Sequence, residues 1–120
     1  MEAEVGYVNI FVKDFDRAVA FYRDTLGLEL RFADADFGYA SFATGGAGLS
    51  LAHESEETGA LAGRFTGVGL VVADLDATYR ELTGKGVEFV MPPTAQPWGG
   101  TLALMKDSEG NVLYLDPGGH

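Results

Sequence analysis

Two histidines, no cysteine and five tyrosines set the chemistry open to these 120 residues. Without a thiol there is no thiolate nucleophile, no cysteine-ligated metal and no disulfide. His53 is followed by Glu54, Glu56 and Glu57. An imidazole among carboxylates could hold a metal, but an acidic stretch where a strand runs out into a linker is more simply a solvated charged face. His120 follows Pro117-Gly-Gly119 and reads as an unanchored tail rather than a ligand. Gly45-Gly-Ala-Gly48 has the glycine content of a phosphate loop without its lysine, and reads as a hairpin turn. No serine sits in a nucleophile elbow, and His53 is the one interior imidazole, so a serine hydrolase is unsupported. Aromatic and amide groups remain: Tyr7, Asn9, Phe11, Tyr114 and the single tryptophan, Trp98. Such groups stack on and orient a flat, partly polar ligand.

The elements that must position these residues are legible in the hydrophobic periodicity. Tyr7 to Val12 alternates, with Val8, Ile10 and Val12 on one face and Tyr7, Asn9 and Phe11 on the other, which predicts a half-buried strand. Asp14 then stands where an N-cap belongs, Phe15, Ala18, Val19 and Tyr22 follow a helical period, and Gly27 marks the stop. Half a chain later the pattern returns: Val68, Leu70 and Val72 alternate, Asp74 can cap, and Leu75, Thr78, Tyr79 and Leu82 carry the helical spacing. Turn chemistry and both periodicities recur together, which points to duplication. Shorter β-like runs follow each helix: Leu28 to Phe32, Tyr39 to Ala43 and Leu49 to His53, then Val87 to Val90, Leu102 to Met105 and Val112 to Leu115. Both halves therefore read βαβββ, an α+β architecture in one domain spanning 1–120. Module 1 covers about 5–53, a linker about 54–64 and module 2 about 66–116. Pro92 to Gly100 reads as a loop carrying Trp98.

The chain's size and its 47% hydrophobic content suffice for one core. A formal net charge of -10 repels the phosphates that dominate nucleic-acid affinity, so nucleic acid is not expected as a partner. No stretch reaches the roughly 20 apolar residues of a membrane helix, and the acidic Glu2 and Glu4 do not make a signal peptide, so a cytoplasmic location is expected.

Three segments together resemble the vicinal oxygen chelate superfamily, the glyoxalase, bleomycin-resistance and dioxygenase group. They are Val12-Lys-Asp-Phe-Asp-Arg-Ala-Val-Ala-Phe-Tyr-Arg-Asp-Thr-Leu-Gly-Leu28, the repeated Val72-Ala-Asp-Leu-Asp76, and the closing Asp107-Ser-Glu-Gly-Asn-Val-Leu-Tyr-Leu115. The resemblance implies two βαβββ modules pairing into a curved mixed sheet around a cleft, with helices outside. Metal-using members place ligands at the start of the first strand of each half, on the fourth strand and on the last strand. Those positions fall here on Tyr7, Gly67, Ser50 and Tyr114. Glycine offers no donor, and a phenol of pKa about 10 is largely protonated at neutral pH, so no metal and no other cofactor is expected.

In the resembled fold the strand faces opposite the helices line the cleft. The expected ligand-binding residues are then Tyr7, Asn9, Phe11, Ser50, Gly67, Gly69, Trp98 and Tyr114, with the glycines leaving room and Trp98 closing over the top. The leading expectation is a metal-independent protein binding a small aromatic natural product or antibiotic, cationic compounds included. The resemblance is to the bleomycin-resistance branch, and it implies a homodimer whose partner chain would complete each cleft. The alternatives are a glyoxalase-type lyase or isomerase, using an unrecognised metal site or proton transfer by Tyr7 or Tyr114, and an accessory domain that binds a pathway intermediate.

Overall fold

The computed structural model describes residues 1–55 and 60–118, so Glu56, Glu57 and His120 lie outside the described residues. The chain divides into two compact units, Met1–Gly63 and Arg64–His120. Each is βαβββ with one four-stranded mixed sheet, an α+β fold.

In the first unit β1 (Tyr7–Val12) leads into α1 (Phe15–Ala20), followed by β2 (Glu29–Asp34), β3 (Tyr39–Ala43) and β4 (Gly48–His53). The strand order is β1-β4-β3-β2, with β1 parallel to β4 and the remaining pairs antiparallel. Asp14 caps α1 by accepting from the Arg17 N–H at 3.2 Å. The helical stripe Phe15, Ala18, Val19 and Tyr22 is buried against a sheet face of Ile10, Val12, Ala40, Phe42, Leu49 and Leu51. The Tyr22 and Phe42 rings lie 5.9 Å apart across that junction. Periodicity did not foretell the widening of the helix into a π-helical turn over Phe21–Thr25, closed by Leu26 N–H donating to Phe21 C=O at 3.0 Å. Gly27 then reverses the chain at φ 74°.

The second unit runs β5 (Phe65–Val71), α2 (Leu75–Gly84), β6 (Phe89–Ala95), β7 (Thr101–Lys106) and β8 (Val112–Asp116), in the order β5-β8-β7-β6. Asp74 caps α2 by accepting from the Ala77 N–H at 3.0 Å. Leu75 and Leu82 are buried with Val87, Ala103, Met105, Leu113 and Leu115. Tyr79 of α2 meets Phe89 edge-on at 4.6 Å.

One boundary is corrected: Pro92 to Ala95 belong to β6 rather than to a loop. The strand lies at the sheet edge, where proline's missing donor breaks no ladder, and register shifts between Phe89 and Met91 and between Met91 and Thr94 absorb the mismatch. The hairpin turn carrying Trp98 is therefore confined to Gln96–Gly100, closed by Gln96 N–H to Gly100 C=O at 2.8 Å. Gly45-Gly46-Ala47 is a hairpin turn too, tied by the Thr44 hydroxyl donating to Ala47 C=O at 2.6 Å. Among the described residues no helix is long and apolar enough to cross a membrane.

Candidate functional site

Strand register decides which side chains share a face, because partners directly opposite point the same way. In the first unit Tyr7, Asn9 and Phe11 pair with Gly48, Ser50 and Ala52 of β4, while Ala52 and Ser50 pair with Tyr39 and Ser41 of β3. Phe32 and Asp34 of β2 complete the rows. All of these turn away from α1, whose face holds Ile10, Leu51 and Phe42. The far face therefore has a floor of small residues, Gly48, Ser50, Ser41 and Ala52, with aromatic side chains rising around it.

Tyr7 is 64% exposed and Phe32 51% exposed, whereas Ser50 is only 1% exposed. Ser50 thus forms floor, while Tyr7 and Phe32 present surface. The Phe32 and Tyr39 rings lie 6.0 Å apart and tilted by 35°, and the Tyr39 hydroxyl donates to Asn9 Oδ1 at 3.3 Å. The exposed aromatic rings offer faces on which a planar ligand can stack.

In the second unit Gly69 and Leu104 flank Tyr114 on the face turned away from Met105, Leu113 and Leu115. A Cβ at Gly69 would sit 3.8 Å from the Tyr114 Cβ, an ordinary contact. Phe65 meets Tyr114 edge-on at 5.2 Å. Gly67 plays a different part. Between Phe65, opposite Val112, and Gly69, opposite Tyr114, β5 holds extra residues, and Gly67 absorbs them at φ 74°. The Thr66 hydroxyl closes this irregularity by donating to Val112 C=O at 2.8 Å and accepting from Val68 N–H at 3.0 Å. Trp98 is 53% exposed in the β6–β7 turn, its ring laid on Gly100, where a Cβ would oblige the ring to move.

Each candidate residue is thus placed within its unit: Tyr7, Asn9, Phe11 and Ser50 share one sheet face, Gly69 and Tyr114 another, Gly67 a strand irregularity and Trp98 a turn. Sequence periodicity missed Phe32, Tyr39, Ser41 and Phe65. Alternation of Tyr39 and Ser41 against Ala40 and Phe42 was present in the sequence, but only register shows that they join Asn9 and Ser50.

The metal positions of the resembled fold are met by Tyr7 and Ser50 on one face, Tyr114 on the other and Gly67 without a side chain. Two phenols, a buried hydroxyl and a glycine do not make a divalent site. Among the described residues no three His, Asp or Glu side chains gather. His53 lines a shallow surface depression of about 490 Å³ with Lys13, Asp14, Phe15, Asp16 and Ala35. Its Nδ1 lies 2.6 Å from the Glu54 carbonyl, which requires that nitrogen to carry the proton. Asp14 in the same depression is engaged as the α1 cap.

The closing segment that carries part of the resemblance is structural. Asp107, 7% exposed, accepts from the Glu109 and Asn111 N–H groups through Oδ1 at 2.8 and 2.9 Å. Its Oδ2 accepts from the Asn111 side-chain amide at 3.0 Å. Asn111 Oδ1 accepts from Arg64 N–H at 3.0 Å, which pins the entry to β5 beside the β7–β8 turn.

Comparison with known proteins agrees with this architecture. The profile of the Glyoxalase/Bleomycin resistance protein/Dioxygenase superfamily matches residues 4–120. YraH of Bacillus subtilis strain 168 is 29% identical over 119 residues, covering 90% of this chain and 93% of YraH. A superfamily member from Sphaerobacter thermophilus is 32% identical, with a TM-score of 0.81, covering 97% of this chain and 98% of its own. TnmS3, an antibiotic binding protein from Streptomyces sp. CB03234, is 29% identical with a TM-score of 0.78, covering 96% and 95%.

Proposed function

Because the chain belongs to the glyoxalase/bleomycin resistance protein/dioxygenase superfamily, we propose that it is a metal-independent binding protein for a small aromatic natural product or antibiotic, of the bleomycin-resistance-like branch. It takes the ligand on the first unit's sheet face that carries Tyr7, Asn9 and Phe11, with Ser50 as floor, and the second unit's Gly67, Gly69, Trp98 and Tyr114 form a further ligand surface. It acts in the cytoplasm as a homodimer whose partner chain completes the cleft. The single observation that carries this reading is the far face of the first unit. Exposed Tyr7 and Phe32 and the half-buried Tyr39 surround the small residues Gly48, Ser41 and Ser50, a surface that supports stacking, and among the described residues no three His, Asp or Glu side chains gather there. TnmS3 adds a relative of the same fold that binds an antibiotic.

A fold is shared by many chemistries, so the reading rests on the residues present. Enediolate chemistry through a bound metal, the basis of a lyase or isomerase reading, has no fitting ligand set in Tyr7, Ser50, Gly67 and Tyr114. A thermal-shift screen of aromatic natural products on chelator-treated protein tests the proposal, with light scattering to size the assembly at about twice the 12.7 kDa chain. Stabilisation by aromatic compounds without added metal supports it. A stabilising response that appears only when one divalent ion is restored would overturn it.

A further inference from the structure

We infer that the ligand of the first unit's far face carries an ionised acidic group, such as a carboxylate or an acidic phenol, and that Arg31 holds it. The inference rests on the binding reading above and adds the ligand's charge. Between Leu30, opposite Phe42, and Phe32, opposite Ser41, β2 carries an extra residue, and that residue is Arg31. The irregularity aims its side chain inward: a Cβ built at Gly48 would lie 3.9 Å from Arg31 Nη1 and 3.9 Å from the Tyr7 Cβ. In the order β4-β3-β2, the guanidinium has therefore crossed β3 to lie over β4, at the glycine of the floor and beside the exposed tyrosine.

This guanidinium makes no ion pair among the described residues, although the chain has 18 acidic side chains. Glu29 and Asp34 stand on the same strand and do not pair with it. Lys13, Lys85 and Lys106 each reach a glutamate, while Arg17, Arg64 and Arg80, like Arg31, make no ion pair among the described residues. An arginine fork presents parallel N–H donors that match a carboxylate, and its flat face stacks on rings, so one side chain can hold both parts of an aromatic acid. The net charge of -10 argues for cations at long range. Exposed charges are screened beyond about 8 Å at physiological salt, and the group in contact decides specificity. A cationic aromatic compound placed at Gly48 would meet Arg31 at close range, while Asp34 stands farther along the same face, opposite Tyr39.

Three probes of one ring size test the inference: naphthoate, the neutral naphthamide and naphthylmethylammonium, titrated into wild type, Arg31→Gln and Arg31→Lys. Arg31 is exposed, so its variants should fold, with circular dichroism as the check. Wild type should bind naphthoate about tenfold tighter than naphthamide, as a charge-assisted pair adds over a neutral contact, and the ammonium most weakly. Arg31→Gln should bind acid and amide alike, and Arg31→Lys should recover part of the preference. Equal binding of acid and amide by wild type, preference for the ammonium, or a preference that survives Arg31→Gln would overturn the anionic assignment and leave aromatic binding standing. Binding of none of the three would overturn the binding reading itself, and the inference with it.

Discussion

The Tyr39 hydroxyl donates to the Asn9 side-chain oxygen at 3.3 Å, joining residues 30 positions apart across the intervening β4. With its oxygen accepting from the Tyr39 phenol, the Asn9 side chain is oriented. Replacing Tyr39 with Phe should cost about 0.5–1.5 kcal/mol of folding stability, the net worth of one hydrogen bond. It should also weaken ligand binding through a loosened Asn9. Urea denaturation and titration of the same protein separate the two effects. Unchanged stability and affinity would show that the pair is idle.

The Asp107 carboxylate is expected to matter more to folding than the helix cap Asp74, although both are aspartates that accept backbone N–H bonds. Asp74 accepts from the Ala77 N–H, and loss of a cap to Ala costs about 1 kcal/mol. Asp107 is buried and accepts from Glu109 N–H and from both nitrogens of Asn111. Asp107→Ala strands several buried donors at about 1–3 kcal/mol each, so its urea midpoint should fall well below that of Asp74→Ala. Similar midpoints would contradict the network's structural role.

Gly67 and Gly69 should part company under substitution. Gly67 sits at φ 74°, where a leucine is strained by roughly 1–3 kcal/mol whatever the space around it, so its loss of function would be confounded with loss of stability. Gly69 has no such constraint and stands beside Tyr114. Gly69→Leu should leave the melting temperature within a few degrees of wild type and abolish ligand response on that face. A retained response would remove this face from the site.

Truncating Tyr7 to Ala discriminates binding surface from core. A buried aromatic costs about 3–5 kcal/mol of stability on such a change. At 64% exposure, Tyr7 should lose far less than that, with a binding loss of roughly 1–3 kcal/mol if it is a ligand anchor. A large stability loss with unchanged affinity would place Tyr7 in a packing role.

Local signals carry the βαβββ repeat in the sequence itself: Asp14 and Asp74 as caps, the stripe ending at Tyr22, the alternation of β1 and the stop at Gly27. Features set by pairing were hidden. The extra residue that aims Arg31 inward, the one that Gly67 absorbs, and the partnership of Tyr39 with Asn9 depend on which residue of a neighbouring strand stands opposite, and periodicity within one strand carries no such information. Pro92 and Pro93 misled for a related reason, since a proline that breaks a central strand is tolerated at an edge. The candidate faces were accordingly half visible: Tyr7, Asn9, Phe11 and Tyr114 by alternation, Arg31, Phe32, Ser41 and Phe65 only by register.

The central claim, a metal-free aromatic ligand stacked on the sheet face away from α1, is tested most directly by mapping a bound compound onto the amides. Metal-stripped, isotopically labelled protein is titrated with the strongest hit of the thermal-shift screen, and backbone amide shifts are followed by NMR. The account predicts the largest changes along Tyr7 to Phe11, at Phe32 and at Tyr39 to Ser41, reached without any divalent ion. Changes confined to α1 and α2, or to the depression around His53, or changes that appear only after a metal is added back, would contradict it.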